Sequence, residues 1–166
     1  YTIHDGGDFA LTIHVPQHTE KLCIQINGEA AACITDNGYF RVQRDWQPGD
    51  CVSVTFDMPV RRIHANPRVR DAAGKVALAR GPLVYCVESV DHDAALSAIV
   101  LPEVATVHAT VEDMVVLQAE GIAQRASDRL YSVGAVRTTR VPIRAIPYFA
   151  WGNRAPGDMQ VWIREN

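Results

Sequence analysis

Residues 9–15 read FALTIHV, with the apolar side chains Phe9, Leu11, Ile13 and Val15 on every second position. Successive side chains of a β-strand point to opposite faces, so this alternation predicts a strand with one face in a core and the other in water. The same period returns in residues 21–26, with Leu22, Ile24 and Ile26, and in residues 51–58, with Val52, Val54, Phe56 and Met58. Between these runs stand Asn27-Gly28, Asn37-Gly38 and Pro48-Gly49-Asp50, residue types that tolerate positive φ or preset a bend. Strands joined by turns this tight predict antiparallel β structure.

The alternation lapses in residues 61–75, RRIHANPRVRDAAGK, where Asn66-Pro67 restricts the backbone and Gly74 closes the stretch. A domain junction is expected there, giving domains 1–66 and 67–166. Past it, residues 76–88 read VALARGPLVYCVE. Gly81-Pro82 marks a bulge or bend, and Leu83, Tyr85 and Val87 share one face. Residues 115–123, 130–135, 136–143 and 159–164 read as further strands, and residues 93–97 as a single helical turn. No segment keeps a 3.6-residue period over three turns, so the fold class is all-β: two tandem antiparallel β-sandwich domains, the first incomplete.

Composition removes several functions. Of 166 residues, 48% are apolar, and 16 basic against 19 acidic side chains leave a formal charge of −3. Without a basic patch or a run of like charges there is no footprint for a nucleic-acid backbone or an anionic membrane. No run approaches the 18 apolar residues of a membrane span, and a signal-peptide layout is absent at the start. The chain begins at Tyr1, without methionine, and is read as a piece of a longer protein. It is expected to be soluble, with the bacterial cytoplasm as its location.

Residue constellations that carry chemistry are sparse. Cys23, Cys33, Cys51 and Cys86 lie 10, 18 and 35 positions apart, unlike a metal clip or a disulfide-dense module, and read as free, mostly buried thiols. His14 and His18 straddle Pro16, so they cannot share a helical face as zinc-protease histidines do, and the histidines read as exposed strand or loop residues. Asp91-His92-Asp93 offers oxygen ligands of the kind Ca²⁺ favours but lacks the rest of a binding loop, and solvated turn residues are the preferred reading. Glu88 and Glu120 lie in strand runs and would have to face each other across a cleft to act as a glycosidase pair; strand glutamates pointing to solvent are the simpler expectation. Residues 146–154, IPYFAWGNR, hold three of the twelve aromatic residues beside an Asn and an Arg. Rings plus fork-shaped polar groups suit sugars, while the plainer reading is packing or an interface. If the strand alternation continued, Tyr148 would share a face with Ile146, with Phe149 and Trp151 on the other, and at least one ring would be buried. Tyr148, Phe149, Trp151, Asn153, Arg154 and Trp162 are the candidate contact residues.

Asn27-Gly28, residues 38–61 (GYFRVQRDWQPGDCVSVTFDMPVR), residues 74–88 (GKVALARGPLVYCVE), residues 146–154 (IPYFAWGNR) and residues 159–163 (MQVWI) together resemble the C-terminal part of glycoside hydrolase family 127, which includes β-L-arabinofuranosidases. The resemblance implies that an (α/α)6 barrel does the chemistry in the parent protein and that two β-sandwiches follow it. In the family a cysteine nucleophile sits in a zinc site built from further cysteines and a glutamate on that barrel. Cys23, Cys33, Cys51 and Cys86 do not match that motif, so no catalytic residue, metal ligand or cofactor is carried onto this chain. The implied function is a non-catalytic C-terminal fragment that supports the barrel and contributes to a homodimer, the parent acting on an arabinose-containing glycan. The alternative is a carbohydrate-binding module with an aromatic platform around Tyr148 and Trp151.

Overall fold

The computed structural model describes residues 1–32, 35–125, 130–131 and 133–166. The chain divides into two compact units, Tyr1–Pro59 and Val60–Asn166. All regular elements among the described residues are strands and single 3₁₀ turns. No helix is long and apolar enough to cross a membrane.

In the first unit, β1 (Gly7–His14), β4 (Thr35–Asp36) and β5 (Tyr39–Trp46) form one three-stranded sheet in the order β1-β5-β4. The strands β2 (Leu22–Ile26), β3 (Glu29–Ala30) and β6 (Val52–Phe56) form another in the order β3-β2-β6. The two Asn-Gly pairs act as read from sequence. Asn27 and Asn37 take φ of 53° and 50° and their glycines 85° and 79°, so Ile26 pairs with Glu29 and Asp36 with Tyr39 across two-residue turns. The inward residues of the alternating runs, Ile13, Ile24, Phe40, Trp46 and Val52, pack as one buried cluster. Trp46 is fully buried and its indole Nε1 donates to the Phe9 carbonyl at 3.0 Å, so its polar atom is satisfied.

One acid is buried in this unit. Asp50 accepts from the Gln47 backbone N–H (3.0 Å) and the Asn27 amide (2.8 Å), and Asn27 in turn accepts from the Cys51 N–H. The Gln47 bond, then the Asn27 bond, hold the Asp50 carboxyl below its usual range against the opposing effect of burial.

The second unit contains β7 (Val60–His64), β8 (Lys75–Arg80), β9 (Leu83–Glu88), β10 (Ile99–Leu101), β11 (His108–Val111), β12 (Val115–Gln124), β13 (Thr138–Pro147), β14 (Met159–Gln160) and β15 (Ile163–Glu165). Its pairings run β8-β9-β13-β12-β10-β15 and return to β8, so the two layers of the sandwich are joined at both sides. The β10–β15 pair is parallel; the others are antiparallel, as expected for the fold as a whole. Val76, Leu78, Tyr85, Val87, Ile99, Leu101, Leu117, Ile143 and Ile163 fill the inside. A smaller cluster of Cys86, Val116, Ile146 and Ala150 has Met114, Met159 and Val161 packed against it.

Two departures from the sequence reading stand out. The units divide at 59/60 rather than 66/67, because β7 pairs along its whole length with β8, from Val60 opposite Arg80 to His64 opposite Val76. The polar run that begins at Arg61 disguised this strand. Arg62 gives its guanidinium to the carbonyls of Pro102 and Ala105 and to Glu165, so an arginine serves where an apolar residue is expected. Gly81-Pro82, read from sequence as a bulge or bend, is a bend: a two-residue hairpin turn joining β8 to β9, with Arg80 opposite Leu83. In the strand expected over 130–135, Ser132 lies outside the described residues, and Leu130, Tyr131 and Val133 are exposed and belong to no strand.

Replacing Trp46 by Ala removes the largest side chain of the first core and one hydrogen bond. The expected cost is about 3–5 kcal/mol. In a urea titration followed by circular dichroism, the first unit of Trp46→Ala is expected to melt well before that of the unsubstituted chain.

Candidate functional site

The candidate contact segment begins where β13 ends at Pro147. Tyr148–Ala150 is a 3₁₀ turn, with the Trp151 N–H reaching the Tyr148 carbonyl at 3.3 Å, so the two-residue alternation stops there. Ala150 is the buried residue of the turn, and the three rings point outward with exposures of 46% (Tyr148), 69% (Phe149) and 44% (Trp151). The expectation that at least one ring is buried is therefore corrected: a tight turn, unlike a strand, put the small residue inside. Asn153 is exposed, and Trp162 is half-buried, with its carbonyl accepting from the Gln160 side-chain amide.

What fixes this loop is an ion network that sequence patterning did not reveal. Glu88, at the end of β9, is only 4% exposed. Its Oε1 accepts the Gly152 N–H at 2.7 Å and its Oε2 accepts Arg154 Nη2 at 2.5 Å. Arg154 also reaches Asp91 through Nη1 at 2.7 Å and Nη2 at 2.5 Å, and Arg144 bridges Asp91 (3.1 Å) to Glu112 (2.6 Å). His92 closes the network. Its Nε2 accepts the Arg144 backbone N–H at 3.2 Å, which leaves Nδ1 to donate to the Glu88 carbonyl at 2.7 Å. Of the expected solvated turn 91–93, only Asp93 is exposed.

Burial is the largest single effect on Asp91 and raises its pKa, but the hydrogen bonds and charges of Arg154 and Arg144 together outweigh it and leave the carboxyl below its usual range. The bonds to Asp91, then those to Glu88, push the Arg154 guanidinium well above its ordinary value. A carboxyl lowered in this way, as Asp91 is, stays ionised and is a poor proton donor, the opposite of what a general acid needs. Glu120, the other acid considered, is highly exposed and sits 3.8 Å from Arg140, so the two glutamates do not share a cleft.

The described cysteines are free thiols, as expected, but only Cys86 is buried; Cys23 on β2 and Cys51 just before β6 are exposed, and Cys33 lies outside the described residues. Burial, then the Glu88 charge, push the Cys86 thiol up to about 11. No three His, Cys, Asp or Glu side chains among the described residues come together in a way that could hold a metal ion. His14 instead meets the Tyr39 ring edge-on at 5.2 Å, and His64 pairs with Glu165 at 2.7 Å.

A second feature is a groove of about 910 Å³ in the second unit, whose lining includes Asp91, Thr106, His108, Glu120, Arg140 and Arg144. Its residues come from four separate segments. The sequence signal for it was the set of polar residues on alternate positions, Gln118 and Glu120 in β12 with Arg140 and Arg144 in β13, which reads as an ordinary solvent face.

Residues 2–58 match the family model described as the β-L-arabinofuranosidase middle domain of glycoside hydrolase family 127, and residues 60–164 match that of the family's C-terminal domain. This chain belongs to glycoside hydrolase family 127. The change from one matched domain to the next falls where the two compact units divide. A non-reducing end β-L-arabinofuranosidase of Bifidobacterium longum subsp. longum is 32% identical over 85% of the chain and 23% of its own length. The crystal structure of a family 127 β-L-arabinofuranosidase from Geobacillus stearothermophilus T6 is 42% identical, with a TM-score of 0.91 over 97% of this chain and 27% of that one. The family 127 β-arabinofuranosidase BT3674 is 27% identical, with a TM-score of 0.84 over 98% of this chain and 28% of that one. The chain thus spans about a quarter of the length of these relatives.

Two outcomes test this description. With the Asp91 carboxyl held below its ordinary value of 3.8 in the fold, its contribution to stability is complete above that value and lost as pH falls through the folded pKa. The melting temperatures of the chain and of Asp91→Asn are expected to differ at pH 6 and to converge as the pH drops below about 3.8. In a Cys33→Ser background, two thiols, Cys23 and Cys51, are expected to react with Ellman's reagent at once, and Cys86 only after denaturant is added.

Proposed function

We propose that this chain is the non-catalytic β portion of a glycoside hydrolase acting on an arabinose-containing glycan, and that it braces a catalytic (α/α)6 barrel carried elsewhere in the parent protein. The observation that carries the reading is the use made of its buried acid: both oxygens of Glu88 are taken up, one by the Gly152 N–H and one by Arg154, so the side chain holds a loop in place. The high pKa of Cys86 argues in the same direction against a thiolate nucleophile here. The zinc implied by the resemblance does not fit the described residues and is assigned to the barrel. Free, exposed Cys23 and Cys51 favour a reducing compartment such as the bacterial cytoplasm.

Three large, exposed aromatic residues on a loop pinned to a buried acid also suit a protein contact, since rigid rings lose little entropy on docking. We assign Tyr148, Phe149 and Trp151, with Trp162 further along the chain, to a homodimer contact. Their exposure equally favours a second reading, a carbohydrate platform. Against it, Arg154 has its guanidinium committed to Glu88 and Asp91, and no two of these rings stack among the described residues.

The chain alone is expected to release no nitrophenol from 4-nitrophenyl β-L-arabinofuranoside; turnover above the buffer rate sinks the non-catalytic reading. Changing Tyr148, Phe149 and Trp151 together to Ser in the full-length parent is expected to shift it from dimer to monomer in sedimentation velocity. A dimer that persists would remove these residues from the interface.

A further inference from the structure

The 910 Å³ groove has no part in that reading, and its construction sets it apart from a plain solvent face. Four cross-strand pairs of β12 and β13 contribute to it: Gln118 opposite Arg144, Ala119 opposite Ile143, Glu120 opposite Pro142, and Ile122 opposite Arg140. Both of its sides are held in place by arginines. Arg144 is locked between Asp91 and Glu112. The segment leading to Thr106 and His108 is held by Arg62, which donates to the carbonyls of Pro102 (2.9 Å) and Ala105 (2.7 Å) and is itself paired with Glu165. A groove shaped before its ligand arrives loses less entropy on binding, and this volume lies in the range of sites for small molecules.

The lining also selects a chemistry. Arg140 and Arg144 are matched by Asp91 and Glu120, so these charges cancel, and a ligand of either sign would meet a like charge. A neutral ligand rich in hydroxyls gains from both kinds, because each hydroxyl donates and accepts. The Glu120–Arg140 pair is suited to this: at 3.8 Å, with side chains 83% and 86% exposed, it is loose enough to exchange its mutual contact for bonds to a ligand. Thr106 and His108 add groups that can do the same. No Phe, Tyr or Trp lines the groove, so the flat face of a pyranose has no ring to stack on; Ala119, Ile122 and Pro142 offer the small apolar contacts that a puckered five-membered ring can use.

We propose that this groove is a saccharide-binding site, distinct from the aromatic loop, that takes a neutral furanoside oligosaccharide. The hydroxyl-rich class rests on the lining; the arabinofuranose identity rests on the proposed function above.

The test is an amide-shift titration of the ¹⁵N-labelled chain with an arabinofuranosyl trisaccharide, with maltotriose as the pyranose comparator. Saturable shifts are expected at the amides of Thr106, Gln118 and Glu120 with the arabinofuranosyl sugar and not with maltotriose. The double variant Glu120→Ala, Arg140→Ala alters only exposed side chains and is expected to keep its spectrum elsewhere while losing about tenfold in affinity. The site falls if neither sugar gives saturable shifts up to about 20 mM, if the shifts are confined to residues 148–151, or if the double variant binds as well as the parent chain. Binding of maltotriose alone overturns the furanose assignment. Hydrolysis of arabinofuranosides by the full-length parent is measured separately, so failure of the groove and failure of the proposed function are told apart.

Discussion

A carboxylate withdrawn from water must be given hydrogen bonds or a cation, and each unit of this chain is organised around one such group. Asp50 in the first unit takes the N–H of Gln47 and the amide of Asn27, so one acid ties the 47–50 turn to the Asn27-Gly28 turn. Glu88 in the second takes the N–H of Gly152 and the guanidinium of Arg154, and Arg154 passes the connection on to Asp91 and Arg144. Each acid adds a side-chain tie between loops that leave neighbouring paired strands.

The second network has wider reach. It starts on β9, sets the path of the loop after β13, and ends at Arg144 on the margin of the groove. One set of charges thus prepares two different surfaces, an aromatic one and a polar one.

Much of the fold was readable from the sequence, for reasons tied to particular residues. Period-two alternation and the two Asn-Gly turns were sufficient for the sheets of the first unit, since both signals are local. The division at 59/60 was hidden because Arg61 and Arg62 interrupt the apolar pattern of a genuine strand, one of them to satisfy carbonyls 40 residues or more away. The resemblance to glycoside hydrolase family 127 was legible because its motifs are themselves local strings. The sites were harder to read. The outward turn of Tyr148, Phe149 and Trp151 depends on Ala150 finding a gap against Cys86 and Ile146, and the burial of Glu88 depends on an arginine 66 positions later. Both are long-range facts with no local signature.

The strand ring of the second unit is completed by β15, whose partners are β8 at its start and β10 near its middle. During synthesis on a ribosome, the hairpin β8–β9 and the long pair β12–β13 can form as they emerge, yet the apolar interior stays open along one seam until residues 163–165 follow. The first unit is drawn from residues 1–59 and waits for nothing downstream. The two halves of the chain therefore mature on different schedules, and the longest exposure of an unfinished core belongs to the half that carries the groove and the aromatic loop.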